Sequence, residues 1–290
     1  MSESGVSRSL RTSLDVHVDA GRAQRGLVSR ERELEAKVAT LQKDYAELHT
    51  AIFEAAQVHR RLCAPRLVRF GEFEIASEIF AVRHLPGDFF MVQDVAGDIV
   101  MGLGDVAGKG LAAGMWIPHL VGLLGTHANL DSDPRTIVSA VNRELCRLAP
   151  VAPLVSLFLA RLDPVSGWLK YCSAGHPPAL LLRADGKLES LSQGGLLLGV
   201  LASASYTQEV VQLNQGDVLL VYSDGIHEAR NAADQEFGYD RLAAELLRAH
   251  RGTTESVLFS VLGAVQDFAA PQALADDTSL VVLGRRDTVL

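Results

Sequence analysis

Four aspartates in this 290-residue chain stand where a strand should run into a turn. They are Asp88 in Leu85-Pro-Gly-Asp-Phe-Phe90, Asp105 in Gly104-Asp-Val-Ala-Gly-Lys-Gly110, Asp224 in Val221-Tyr-Ser-Asp-Gly225, and Asp276 in Ala275-Asp-Asp-Thr-Ser279. Three have glycine beside them, and β-prone apolar runs flank them at Ile99 to Leu103, Val218 to Tyr222 and Leu280 to Leu283. A carboxylate at the end of a buried strand is held rigidly, and a neighbouring glycine lets backbone approach a ligand. Converging carboxylates without a Cys/His cluster suit a hard cation that prefers oxygen, such as Mg²⁺ or Mn²⁺. Aspartate beside glycine usually just caps a turn, and for any single one of the four that reading is favoured. Four in the same strand context favour a metal.

The elements that must position these carboxylates can be read from periodicity. Strands are expected near 74–76, 89–92, 99–103, 156–161, 168–172, 179–183, 208–213, 218–222 and 279–283, and helices over 110–128, 134–148, 239–249 and 254–268. Asp163-Pro-Val-Ser-Gly167 and Ala184-Asp-Gly186 carry hairpin turn chemistry. Consecutive strands joined by short turns, with helices grouped in pairs, predict an antiparallel α+β layered domain rather than βαβ winding.

Ahead of that domain, residues 1–23 read as a polar, mobile tail and 24–62 as a coiled-coil or linker helix. Leu27, Leu34, Leu41, Leu48 and Ala55 recur every seventh residue, with Val38, Tyr45 and Ile52 between them. Leucine at d with Val38 or Ile52 at a is the seam of a parallel two-stranded coiled coil, which predicts a homodimer; Glu31 weakens its upstream end. The competing reading, an amphipathic helix packed on its own domain, needs a wider apolar stripe. Ala64-Pro-Arg66 ends the helix.

A hydrophobic content of 48% with 21% charged residues marks a globular chain, and a net charge of −8 argues against nucleic-acid partners. The three cysteines, Cys63, Cys146 and Cys172, have no CxxC spacing and read as buried thiols of a reducing cytosol. The N-terminus lacks the apolar core of a signal peptide. The most apolar stretch, Leu111 to Leu124, is short and interrupted by Pro118 and His119, so no membrane span and a cytoplasmic location are expected. Gly102-Leu-Gly-Asp-Val-Ala107 fits a dinucleotide fingerprint only superficially, because Asp105 would face the pyrophosphate. The same loop is one residue short of a phosphate-binding Walker loop.

In order and wording, several blocks resemble the metal-dependent Ser/Thr protein phosphatases of the 2C type, in their bacterial SpoIIE/RsbU-like branch. Gly87-Asp-Phe-Phe90 is similar to its Gly-Gly-Asp-Phe-Tyr block, and Gly104 to Gly110 to Gly-Asp-Val-Ser-Gly-(His/Lys)-Gly. Ala174-Gly-His-Pro-Pro178, Leu198-Gly-Val200, Tyr222-Ser-Asp-Gly-Ile-His-Glu-Ala229 with Phe237-Gly238, and Asp276-Asp-Thr-Ser279 follow in register, so the likeness runs from about Leu62 to Leu283. The resemblance implies a layered α-β-β-α sandwich over 63–290 and two divalent cations, Mn²⁺ or Mg²⁺. Asp105 would bridge them, the Val106 carbonyl would complete one shell, Asp224 and Asp276 would hold the other, and Asp88 would bind directly or through water. It further implies hydrolysis of phosphoserine or phosphothreonine on a partner protein, an anti-sigma-factor antagonist in a partner-switching pathway, with Asp105 and Asp224 as the catalytic pair. The barrier to phosphate-monoester hydrolysis is large enough to demand a strong nucleophile and charge neutralisation, which two metal ions supply without a protein nucleophile.

Three departures stand out. Pro86 replaces a glycine, Met91 stands where relatives carry a second acid for which Asp94 could substitute, and Ser279 replaces threonine while keeping the hydroxyl. His176 is expected to make a structural hydrogen bond to backbone, and Lys109 to be a solvated loop lysine. Two other functions remain open: a phosphoprotein-binding regulatory module without catalysis, and a metal-dependent small-phosphoester hydrolase.

Overall fold

The structure, a computed structural model, describes residues 30–58, 67–82 and 85–286, and it divides at Glu54–Ala55 into two units. Helix α1 (residues 30–58), which lies in the first unit up to Glu54, carries the expected heptad. Leu34, Val38, Leu41, Tyr45 and Leu48 are all exposed along it, and Glu33 and Lys37 pair at 2.7 Å one turn apart. The expected mobile tail, Leu27, Cys63 and the helix-ending Ala64-Pro-Arg66 lie outside the described residues.

The second unit is built on two sheets. One contains β1 (Leu67–Phe70), β2 (Phe73–Phe80), β12 (Thr278–Arg285), β11 (Val218–Tyr222), β7 (Ala179–Leu182) and β8 (Leu188–Leu191), in that spatial order. The other runs β10 (Glu209–Gln212), β6 (Trp168–Ala174), β5 (Val155–Leu162), β4 (Asp98–Val106) and β3 (Asp88–Val95), with the short β9 (Gly194–Gly195) parallel to β6. All other strand pairings are antiparallel. Helices α3 (Ile117–Leu130) and α4 (Pro134–Arg147) cover the second sheet, and α6 (Gly238–Ala249) and α7 (Thr254–Ala269) cover the first. The result is the expected α-β-β-α sandwich.

Alternation along the strands explains the layering. On β11 and β12, Leu219, Val221, Val281 and Leu283 face the space between the sheets, while Val218, Leu220, Leu280 and Val282 face α6 and α7. Both faces are covered, so these strands read as continuous apolar runs instead of alternating ones.

The single helix expected over 110–128 is two: α2 (Leu111–Gly114) and α3, broken at Met115–Trp116. Pro118 sits in the first turn of α3, where a missing N–H is tolerated; within a continuous helix its ring would clash with the preceding turn. A one-turn helix, α5 (Asp224–His227), starts at a residue expected to lie in a turn, and β1, β8 and β9 were not anticipated. Both expected hairpins form, the second with Gly186 at φ 90°. Among the described residues Cys146 and Cys172 are free thiols, Cys172 fully buried.

Gly104 on β4 pairs directly with Phe89 on β3. A Cβ there would lie 2.6 Å from the Phe89 ring and 2.8 Å from the Ser156 carbonyl oxygen. Gly104→Ala should therefore lower stability by roughly 1–3 kcal/mol, seen as an earlier denaturation midpoint at unchanged slope. An unshifted midpoint would show that the strand can move aside.

Candidate metal and phosphoryl site

The four aspartates gather at one end of the sandwich. Asp88 begins β3 and Asp105 nearly ends β4, where the two are cross-strand partners. Asp224 follows β11, and Asp276 precedes the antiparallel β12, so the first sheet delivers its two at neighbouring strand ends. A direct bond ties the sheets together here: Ser279 Oγ on β12 donates to Asp88 Oδ2 at 2.6 Å. The hydroxyl retained at Ser279 thus has a definite use.

Asp276 and its neighbour Asp277 also have definite partners. Lys109 Nζ lies 2.6 Å from Asp276 Oδ2 and 3.4 Å from the Ala275 carbonyl, so it is an ion-pair partner rather than a solvated loop lysine. Asp277, not expected to matter, accepts from the amides of Val82 and Gly87, both at 2.8 Å, and so fastens the chain leading into β3. The acidic doublet Asp276-Asp277 divides its work: one carboxylate faces Lys109, the other holds backbone. Asp94 cannot replace an acid at Met91. It caps the β3–β4 turn through the Gly97 amide, six residues from Asp88 along an extended strand, about 20 Å away.

The electrostatics follow from this crowding. Burial and the Asp105 charge push the Asp88 pKa well above the usual carboxylate range, against the stabilising hydroxyls of Ser279 and Ser223. Asp105 is pushed up to about 6, first by burial and then by Asp224, Asp276 and Asp277, with Lys109 acting the other way. Among the described residues, no three Asp, Glu, His or Cys side chains are already drawn into a ligand cluster.

Open space around the carboxylates depends on glycine. A Cβ on Gly87 would sit 3.2 Å from both Asp105 Oδ1 and the Val106 carbonyl oxygen, so both oxygens border the face that glycine leaves clear. At Gly225 a Cβ would meet the Asp277 carbonyl oxygen at 2.0 Å, so only glycine allows α5 to start beside Asp276-Asp277. The oxygens of Asp105, Val106, Asp224 and Asp276 are all hard donors, a set that could hold Mg²⁺ or Mn²⁺.

A cleft of about 600 Å³ opens beside Asp105 and Asp224. Leu154, Pro177, Pro178 and Leu197 supply apolar wall, and His176, His227, Glu228 and Tyr239 supply polar wall. The His176 ring meets both a side chain and backbone: its Nδ1 lies 2.9 Å from Ser156 Oγ, the Tyr222 backbone stands on its other side, and its own carbonyl accepts from Ser173 Oγ at 3.3 Å.

The fold that places this cleft is that of the PP2C-type phosphatases. The PP2C domain of SiaA from Pseudomonas aeruginosa superposes with a TM-score of 0.72 at 17% identity, covering 83% of this chain and 98% of that domain. RsbX, solved in complex with magnesium, superposes with a TM-score of 0.57 at 14% identity, covering 75% and 97%. In sequence, the chain is 24% identical over 250 residues to the phosphoserine phosphatase RsbU of Bacillus subtilis, covering 85% of this chain and 73% of that protein. The family model of Stage II sporulation protein E (SpoIIE) matches residues 96–286, and the chain belongs to that family as a SpoIIE-type PP2C phosphatase domain. Asp105, Asp224 and Asp276 lie within the matched span, and Asp88 precedes it. Among the described residues, no helix is long and apolar enough to cross a membrane.

The raised carboxylates make a pH prediction for the metal-free chain. Asp105 keeps its proton in the folded state up to about 6, whereas unfolded it loses it near the ordinary value of 3.8. At this group the folded state therefore binds more protons between those values, and its contribution to stability should fall as pH rises from about 4 to about 6. The loss should be on the order of 1–2 kcal/mol after allowing for solvent screening. Thermal melts in chelator of the wild type and of Asp105→Asn across that range check it, the variant lacking this fall; identical pH slopes in the two would contradict the assigned crowding.

Proposed function

We propose that this chain hydrolyses phosphoserine or phosphothreonine on a partner protein, with two divalent cations, Mn²⁺ or Mg²⁺, held by Asp105, the Val106 carbonyl, Asp224, Asp276 and Asp88. The observation that carries this reading is the crowding at Asp105: burial first, and then Asp224, Asp276 and Asp277, raise its pKa, and Asp105 and Asp224 line one cleft. One nearby lysine cannot balance that charge, and divalent cations can. When bound, such cations supply a nucleophilic water at neutral pH and neutralise charge on the phosphoryl group. Gly87 and Gly225 keep side chains out of the approach to the carboxylates. The Ser279 hydroxyl and the Asp277 clamp on the Gly87 amide hold Asp88 and its strand in place. The cleft receives the residues flanking the phosphoserine against Leu154, Leu197 and Pro178.

A phosphoprotein substrate is supported by the likeness to RsbU, named a phosphoserine phosphatase, and by the net charge of −8, which disfavours nucleic acid. Within that reading the partner is a small anti-sigma-factor antagonist in a cytoplasmic partner-switching pathway. Replacing Asp105 or Asp224 with Asn should reduce Mn²⁺-dependent hydrolysis of p-nitrophenyl phosphate by two or more orders of magnitude, as when a group organising transition-state charge is lost. Circular dichroism should remain that of the wild type. Near-normal turnover by Asp105→Asn would remove it from the metal site, and full turnover in chelator would favour a different chemistry. Faster hydrolysis of free nucleotides than of any phosphorylated antagonist would favour the small-phosphoester reading. Binding of a phosphoprotein without turnover would favour the regulatory module.

The exposed seam Leu34, Val38, Leu41, Tyr45 and Leu48 supports a second copy of the chain as the partner of α1, with residues 24–62 as the linking helix and 63–290 as the phosphatase domain. Leucine side chains repeating at d positions are buried only by such pairing. Sedimentation should give a dimer for the wild type and a monomer for Leu41→Asp with Leu48→Asp. A wild-type monomer at high micromolar concentration would contradict the coiled coil.

A further inference from the structure

The turn between β6 and β7 is more tightly built than a connection requires. Gly175 adopts φ 65°, a left-handed conformation, and a Cβ there would lie 2.7 Å from the Leu197 side chain. Its amide donates to the Gly195 carbonyl at 3.0 Å, and the next residue's carbonyl takes the Ser173 hydroxyl. These bonds fix one side chain, that of His176, which is only 6% exposed.

The ring then stands between the two halves of the carboxylate site. On one side its Nδ1 meets Ser156 Oγ at 2.9 Å, and Ser156 is the direct cross-strand partner of Asp105. Directly opposed residues project from the same face with Cβ atoms about 4.5–5.5 Å apart, so the Ser156 hydroxyl stands beside the Asp105 carboxylate. Asp88 completes the same rung from β3. On the other side lie the backbone of Tyr222, two residues before Asp224, and the His227 imidazole at the end of α5. Among the described residues, His176 Nε2 and His227 Nδ1 are buried without a partner in hydrogen-bonding geometry. Both rings line the same cleft as Asp105 and Asp224. A buried imidazole so placed can set the strand ends that carry the carboxylates without being a ligand itself.

We propose that His176 is a positioning residue: bonded to Ser156 and wedged against the end of β11, it holds Asp105 and Asp224 in the separation at which they bind a divalent cation. The proposal rests on the metal reading of the carboxylate site. A group that orients a ligand from behind typically changes metal affinity by 10–100-fold when removed. Deleting either end of one hydrogen bond should cost once, not twice.

The test is Mn²⁺ titration of the full chain by calorimetry and by electron paramagnetic resonance, with thermal melts of the metal-free forms alongside. Ser156→Ala and His176→Phe should each weaken Mn²⁺ binding about 10-fold or more, while the metal-free melts show folded protein. The double variant should bind no more weakly than the weaker single one. Ser156→Thr, which keeps the hydroxyl, should restore affinity to near wild type. If His176→Phe does not fold, Ser156→Ala and Ser156→Thr decide the matter between them. Folded variants with wild-type Mn²⁺ affinity, or losses that multiply in the double variant, would overturn the pairing while leaving the metal site standing. A wild-type chain that binds no Mn²⁺ would overturn the metal reading, and this proposal with it.

Discussion

Like-charged carboxylates crowded at the end of a dry inter-sheet space are the constraint around which this domain is arranged. Asp88 is buried among apolar strands and faces Asp105 across a strand pair, while Asp224, Asp276 and Asp277 approach from the other sheet. A buried charge costs free energy unless it is paired or hydrogen-bonded. The structure meets that cost with Ser279 on Asp88, Lys109 on Asp276 and two backbone amides on Asp277. Asp105 is left least satisfied, which fits the residue proposed to bridge cations.

The rest of the sandwich supplies stiffness at that point. Long antiparallel strands covered on both faces by helices leave little freedom at their ends, and the bonds between Ser223 and Ser279 continue the β11–β12 pairing past the last paired residues. The Asp277 clamp reaches back nearly two hundred residues to the chain entering β3. Both sheets therefore contribute to one site, and neither could hold it alone. The walls of the cleft come in part from the turn between β6 and β7, Gly175 to Pro178, which passes from one sheet to the other.

Much of this was legible in the residues because the signals were local. Asp105 and Asp224 follow apolar β-prone runs and adjoin glycine, so their positions at strand ends could be read directly, and the layered fold followed from the pairing of helices and hairpins. What could not be read depended on contacts between distant segments. Nothing local distinguishes Asp276 from Asp277, yet one carboxylate meets Lys109 and the other holds the amides of Val82 and Gly87. The Ser156–His176 bond joins a strand to a turn twenty residues later, and Ser156 carries no motif signal. The break between α2 and α3 was within reach, since Pro118 marks it, but the apolar run across it outweighed the proline. Asp94 was misjudged because spacing in sequence does not show that an extended strand carries a side chain to the far end of the sheet.

The most direct test of the central claim is anomalous scattering from crystals grown with Mn²⁺. The account predicts manganese bordered by Asp105, the Val106 carbonyl, Asp224 and Asp276, with the Lys109–Asp276 ion pair opened. Manganese bound elsewhere, or an intact Lys109–Asp276 pair with no manganese among these oxygens at saturating concentration, would contradict it.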